Sequence, residues 1–382
     1  MLAIDPLDFS GYAWNAMPVN TLSSYRHHPI SRREFLKLSA LGLGGIILRP
    51  FGNLFTLQEF PDADRLGRVC RPFSKVDLKA KPNYESETVG VLYDDSVVPW
   101  VHEVVGYHPG RNNQRYVETP QGYIWSADLQ PVKNILNQPV DQFPVVTQGS
   151  GMWVEVTVPW VDIVLDRPPS APWLKHRVEN KIPTRLYYSQ ILWVDQIKKD
   201  DTGQVWYRIN ERFGSYGDIY WAVAEAFRPL TEEEMAPISP GVEEKKVVVD
   251  KEWKRQILSC YERKTEVYFC TVSTGVEQDA TPLGEFAIWR KLISLHMSGG
   301  TTGGGWDLPG IGWTTLFVGE GVAIHSTFWH NNFGEPESHG CVNVRPEDAK
   351  WIFRWTLPSV PYEPGDVTIS GSGSSKVKVI QA

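Results

Sequence analysis

Disulfide chemistry is nearly closed to this chain. Four cysteines are spread over 382 residues, far below the density of a small disulfide-stapled scaffold. Positive charge is also scarce: 38 Lys and Arg stand against 45 Asp and Glu, for a net charge of −7. With a sequence pI near 5.8, the chain has no electrostatic footprint for nucleic acid. Charged residues make up 22% and the apolar set 42%, which argues against both whole-chain disorder and a polytopic membrane protein. Glycine (32), proline (28) and tryptophan (16, with 15 Tyr and 15 Phe) are plentiful instead. That mixture predicts short strands, many turns and aromatic-lined surfaces rather than long helices. At roughly 150 residues per domain, the length suggests two or three domains.

Residues 31–37 (SRREFLK) precede an uncharged run at 38–48, LSALGLGGIIL. Eleven residues cannot cross a hydrocarbon core, which takes about 20 in a helix. A paired arginine followed by Phe, Leu, Lys and a short Gly-containing apolar run resembles a twin-arginine export signal. The resemblance implies export across the cytoplasmic membrane by the twin-arginine machinery, to the periplasmic space or cell wall. Residues 1–52 are therefore read as a signal or retained anchor, with Met17 as an alternative start.

Beyond this leader the chain reads as mainly β. Five or so short strands at 69–132 suit a small barrel, and the wording LKAKP, VGVL and GYIWSADLQPV resembles bacterial SH3-like domains. Residues 152–230 close in a similar way and are read as a degenerate second module, whose aromatics either form a core or bind glycan or peptide. The acidic, proline-containing stretch 231–244 reads as a linker. Strand signals return at 245–250, and 256–261 with 266–271 form a hairpin across Arg263 and Lys264. That turn would set Cys260 opposite Val267 and away from Cys270. Only 346–355 has amphipathic helical spacing, with Ala349, Ile352 and Phe353 on one face.

The chemistry is concentrated in one segment. His325 lies 16 residues before Cys341 and His339 two residues before it, within SHGCVNV at 338–344. A free thiol has a pKa of about 8.5 and needs a base or a positive neighbour to react at neutral pH. Gly340 permits close approach of a substrate carbonyl, and amides near Gly340 and Cys341 are candidates to hold an oxyanion. Three readings of these residues stay open on spacing alone: a small buried cysteine among ordinary histidines, a zinc site using His325, His330, His339 and Cys341, or a Cys/His acyl-transfer nucleophile.

The pattern His-x, loop, Ser-His-Gly-Cys-hydrophobic-Asn resembles the L,D-transpeptidase catalytic domain, also called YkuD-like. The resemblance runs from 245 to 382 through VVVD at 247–250, QIL at 256–258, STG at 273–275 and TPLGEF at 281–286. It implies a β-sandwich with one short helix. It implies Cys341 as a thioester-forming nucleophile, His325 as general base and Ser326 as an orienting neighbour. His339 and Gly340 would belong to the substrate wall, Asn343 would close the motif, and Arg345 is a candidate for a donor carboxylate. Trp329 is assigned to the cleft, with Trp306 and Trp313 as further candidates. The implied activity is exported cross-linking of peptidoglycan stem peptides with no metal or organic cofactor and with carbapenem-type β-lactams as inhibitors. An L,D-carboxypeptidase at the same site and an inactive wall-binding protein are the alternatives.

Overall fold

The computed structural model describes residues 57–70, 75–299, 306–319 and 321–382; the arginine-pair segment and the rest of 1–52 lie outside them. The fold is mainly β. In the N-terminal module the alternation of Lys75–Lys79, with Val76 and Leu78 buried and their neighbours turned out, shows a half-buried strand. That strand belongs to a five-stranded sheet in the order Thr88–Tyr93, Lys75–Lys79, Gly122–Trp125, Arg115–Thr119, His102–Val105. A three-stranded sheet (Val97–Pro99, Leu66–Val69, Leu129–Val132) lies beside it. Residues 96–105, read as one of the short strands within 69–132, divide at the buried Trp100 into two strands that pair in different sheets.

The middle module is a six-stranded sheet ordered Val164–Leu165, Ile219–Val223, Val205–Asn210, Ile191–Lys199, Met152–Val156, Phe227–Pro229. Its Tyr207, Tyr220 and Phe227 are fully buried, so these aromatics form a core rather than a binding face. It also carries a helix, Pro172–Glu179, where no helical spacing was expected. Only Leu174 of that helix is buried, which leaves almost no apolar stripe to read.

The C-terminal domain stacks two five-stranded sheets. The first contains β1 (Lys245–Glu252), β2 (Arg255–Glu262), β3 (Thr265–Thr271), β4 (Gly284–Ala287) and β10 (Lys376–Ile380), in the order β3-β2-β1-β10-β4. The second contains β5 (Arg290–Gly299), β6 (Trp306–Val318), β7 (Val322–Ser326), β8 (Val342–Val344) and β9 (Asp366–Thr368), in the order β8-β7-β6-β5-β9. The helix α1 (Pro346–Trp355) follows β8, starts on a proline in its first turn and buries Ala349, Ile352, Phe353 and Trp355. A register shift in the β2–β3 hairpin corrects the expected pairing. Cys260 lies opposite Tyr268, not Val267, and Cys270 lies opposite Leu258. Cys260 and Cys270 are not joined in a disulfide.

The modules do not sit as separate beads. One continuous apolar cluster joins Trp153, Ile191, Trp193, Leu230 and Met235 to Val247, Ile324, Phe353 and Trp355. The stretch 231–244 is fastened along its length: Met235 enters that core, and Glu234 bonds Arg228 and Lys350. No helix among the described residues is long and apolar enough to cross a membrane.

Candidate active site

β7 and β8 are parallel neighbours, pairing Ile324 with Val342, His325 with Asn343 and Ser326 with Val344. Ile324, Val342 and Val344 enter the core. Strand alternation therefore sends His325 and Asn343 to the opposite face, together with Cys341 one step before β8. On that face Cys341 packs against Leu292, Leu316 and Ala323.

His325 is 2% exposed, and its Nδ1 lies 2.9 Å from the Ser326 carbonyl oxygen. A carbonyl only accepts, so Nδ1 carries the proton and Nε2 keeps a free lone pair. Burial pushes the imidazole pKa down to about 4, against a smaller upward pull from the Ser326 carbonyl. Ser326 thus orients the ring through its backbone. Its side chain, one residue along the strand, is directed away from that of His325.

Cys341 is half-buried. Burial pushes its thiol up to about 11, partly offset by the Ala323 backbone. Sγ donates to the Gly321 carbonyl at 3.6 Å, and no hydrogen bond joins it to His325 among the described contacts. The imidazole and the thiol therefore share a face as two neutral groups.

The turn before Cys341 is tightly built. Gly340 has φ +143°, and a Cβ there would come within 2.6 Å of the Ala280 carbonyl oxygen, so no other residue fits without moving the wall. Thr281 Oγ1 donates to the Gly340 carbonyl at 2.7 Å and accepts the Gly275 N–H at 2.9 Å. Ser338 Oγ donates to the Cys341 carbonyl at 2.6 Å and accepts the Gly340 N–H at 3.0 Å. That last bond corrects one expectation, because the Gly340 amide is occupied within the turn and does not face a substrate. The bridges Ser273 to Asn343 and Gly275 to Ser338 fix the 273–281 segment as the adjoining wall.

The remaining candidates divide. His339 is exposed and stacks on Trp306, with ring centroids 4.6 Å apart. Trp329 lies beside His325 at 5.8 Å. Trp313 is buried against Phe353 and belongs to the core, not the cleft. The Arg345 guanidinium is already engaged: it donates to Thr271 Oγ1 at 3.1 Å and covers the Phe333 ring. Among the described residues no group of three His, Cys, Asp or Glu side chains is placed to hold a metal.

Two participants carried no legible signal as such. His330, weighed only as a metal ligand, lies with Nε2 2.9 Å from the Asn343 side-chain amide. Glu335 is 4% exposed and bonds to the N-terminal module. Glu335 contacts residues some 220 positions away, so no local spacing announces it.

Residues 244–377 match the YkuD family model, described as the L,D-transpeptidase catalytic domain. No curated protein matches the sequence. Among solved structures, a cysteine-to-serine mutant of the Enterococcus faecium L,D-transpeptidase is 23% identical over 37% of this chain and 51% of its own, with a TM-score of 0.29. The L,D-transpeptidase from Stackebrandtia nassauensis is 22% identical over 39% and 60%, with a TM-score of 0.25. A third L,D-transpeptidase, in complex with imipenem, is 16% identical over 50% and 90%, with a TM-score of 0.29. The matched region thus spans 51% and 60% of the lengths of the first two.

Proposed function

We propose that the protein is an exported L,D-transpeptidase that cross-links peptidoglycan stem peptides through a Cys341 thioester. The observation that carries this reading is the shared face of β7 and β8. It holds a half-buried thiol, an imidazole with an unprotonated Nε2 and the SHGC turn, within a region matching the L,D-transpeptidase catalytic domain.

In the proposed mechanism Cys341 Sγ leaves the Gly321 carbonyl for His325 Nε2, a contact that tightens only when substrate is bound. Nε2 takes the thiol proton as Sγ attacks the carbonyl of the L-centred residue before a terminal D-amino acid. The C–N bond breaks, the imidazolium protonates the departing amine and a thioester remains. An amine on a neighbouring stem then attacks the thioester. His325 takes its proton and returns it to the thiolate. Trp306 and His339 offer a stacked, exposed wall beside the nucleophile, and carbapenem-type β-lactams would acylate the same sulfur. The arginine-pair segment at 31–48 would route the chain to the twin-arginine machinery.

The test is mass spectrometry of disaccharide-tetrapeptide muropeptides incubated with the protein and with Cys341→Ala. A dimer formed with loss of one D-amino acid, absent with the variant, is the expected result. Tripeptide without dimer would make the enzyme an L,D-carboxypeptidase. An unchanged muropeptide would sink the catalytic reading in favour of a wall-binding protein.

A further inference from the structure

The eleven residues between β7 and Ser338 form a loop, but the loop is buried rather than free. Thr327, Phe328, His330, Asn331, Asn332 and Phe333 are each under 8% exposed. The N-terminal module bonds to the loop at the Phe328 carbonyl, Asn331, Asn332 and Glu335, and Tyr187 of the middle module stacks on the Phe328 ring. Glu335 Oε1 accepts the backbone N–H of Asn112 at 2.5 Å and of Asn113 at 2.9 Å. Its Oε2 accepts Arg111 Nη1 at 3.1 Å and Asn332 Nδ2 at 3.2 Å. Burial alone would raise this carboxyl's pKa. Donation from Asn113, Asn332, Asn112 and Arg111 outweighs it and holds the group below the ordinary carboxylate range.

Two further tethers lie alongside. Asn331 donates to the Ala127 carbonyl through its backbone at 3.2 Å and to the Ser126 carbonyl through its side chain at 3.1 Å. The buried Arg68, itself held by Gln130 and Asp95, donates to the Phe328 carbonyl at 2.7 Å. From these anchors contacts run inward to the chemistry. The Asn332 N–H meets His330 Nδ1 at 3.3 Å, and His330 Nε2 meets the Asn343 amide at 2.9 Å. Asn343 in turn is the strand partner of His325.

We propose that the N-terminal module is a positioning element for the loop over the active site, and that Glu335 is the positioning residue through which it acts. The proposal rests on reading Cys341 and His325 as nucleophile and base. Its logic is entropic. Ordering a free loop costs conformational entropy at every residue, and a buried carboxylate with four donors offsets that cost through strong charge-assisted bonds. With the clasp made, Trp329 and the His330–Asn343 pair are already in place beside His325 when a donor peptide arrives.

The experiment compares the full-length protein with Glu335→Gln, Arg111→Ala and a stability control, Val117→Ala, which thins the core of the same module. Three quantities are read: hydrogen exchange of amides 327–338, the rate of Cys341 alkylation by iodoacetamide, and kcat and KM for disaccharide-tetrapeptide dimerisation. Glu335→Gln and Arg111→Ala should speed loop exchange by about tenfold or more. They should also shift the alkylation rate by about threefold or more and lower kcat about tenfold with KM within about twofold. Val117→Ala should lower Tm while leaving all three unchanged. Unchanged loop exchange would overturn the proposal, and so would faster exchange with unaltered kcat and alkylation. If Glu335→Gln does not fold, Arg111→Ala decides on the same criteria. Should the native protein convert no muropeptide, the transpeptidase reading fails by itself. Alkylation then judges the coupling: a shifted rate sustains it and an equal rate refutes it.

Discussion

His325 and Cys341 are both uncharged at neutral pH. One is held low by burial at about 4 and the other high at about 11. A preformed thiolate–imidazolium pair is therefore not the resting state, and proton transfer accompanies attack. At pH 7 only about one thiol in ten thousand would be ionised. Alkylation of Cys341 should rise steadily with pH to beyond pH 9, with no plateau near pH 6 to 7. A titration of thiolate absorbance, taken as the difference from Cys341→Ser, checks this, and a plateau below pH 8 would contradict it. At this scale the sequence was legible wherever chemistry resides in residue identity. The family resemblance singled out Cys341 and His325, and the strand pairing sets their side chains on one face. It was silent on Glu335, whose role exists only through residues 111–113. For Ser326, expected as an orienting neighbour, the orienting atom is the backbone carbonyl, which residue identity does not encode.

Among the elements, α1 shows why a short helix needs outside help. Its ten residues are too few to be stable alone in water, and its last carbonyls would be stranded in the core. Lys291, fully buried, donates to the carbonyls of Phe353, Thr356 and Pro358 at 2.5, 2.7 and 2.7 Å. Lys245 does the same for the Trp355 carbonyl at 2.8 Å and ties it to the Ile238 carbonyl of the 231–244 stretch at 2.7 Å. Lys291→Met should cost about 3 kcal/mol, because three buried acceptors lose their donor. Urea denaturation would show it as a lower midpoint at unchanged slope, and a midpoint within error of the native value would refute it. This helix was readable from its apolar spacing at Ala349, Ile352 and Phe353. The helix Pro172–Glu179 was not, since a single buried leucine is no pattern. The break at Trp100 was hidden for a related reason: alternation continues through it while the pairing partner changes.

For the molecule as a whole, the joints between modules are as well made as the modules. His296 on β5 lies between Glu211 of the middle module (Nδ1, 2.7 Å) and Asp307 on β6 (Nε2, 2.5 Å), with Tyr216 against its ring. Burial alone would lower its pKa, but the two carboxylates raise it to about 9. The folded value lies above the unfolded one of about 6.5. The stabilisation is therefore complete below pH 6.5 and is lost as pH rises through 9. The stability gap between the native protein and His296→Gln should shrink by about 3 kcal/mol from pH 6 to pH 9.5. Paired thermal melts at the two pH values measure it, and a constant gap would show that the imidazole is not charged in the fold. Such joints explain why domain organisation was the least legible part of the sequence. Composition marks 231–244 as a tether, yet Met235 and Glu234 commit that stretch to neighbours on both sides.

The order of strands also sets a clock. β10 lies between β1 and β4 in its sheet, pairing in parallel with β1 from Lys246 to Asp250. A ribosome adding about 5–20 residues per second delivers residue 376 roughly 6 to 26 s after residue 246. Until β10 arrives, β1 and then β4 present an open edge, while Trp153 and Trp193 await the core they share with Val377 and Val379. A nascent chain in this condition is a client for chaperones. A stop codon shortly before position 376 would remove the strand that joins β4 to the rest of its sheet.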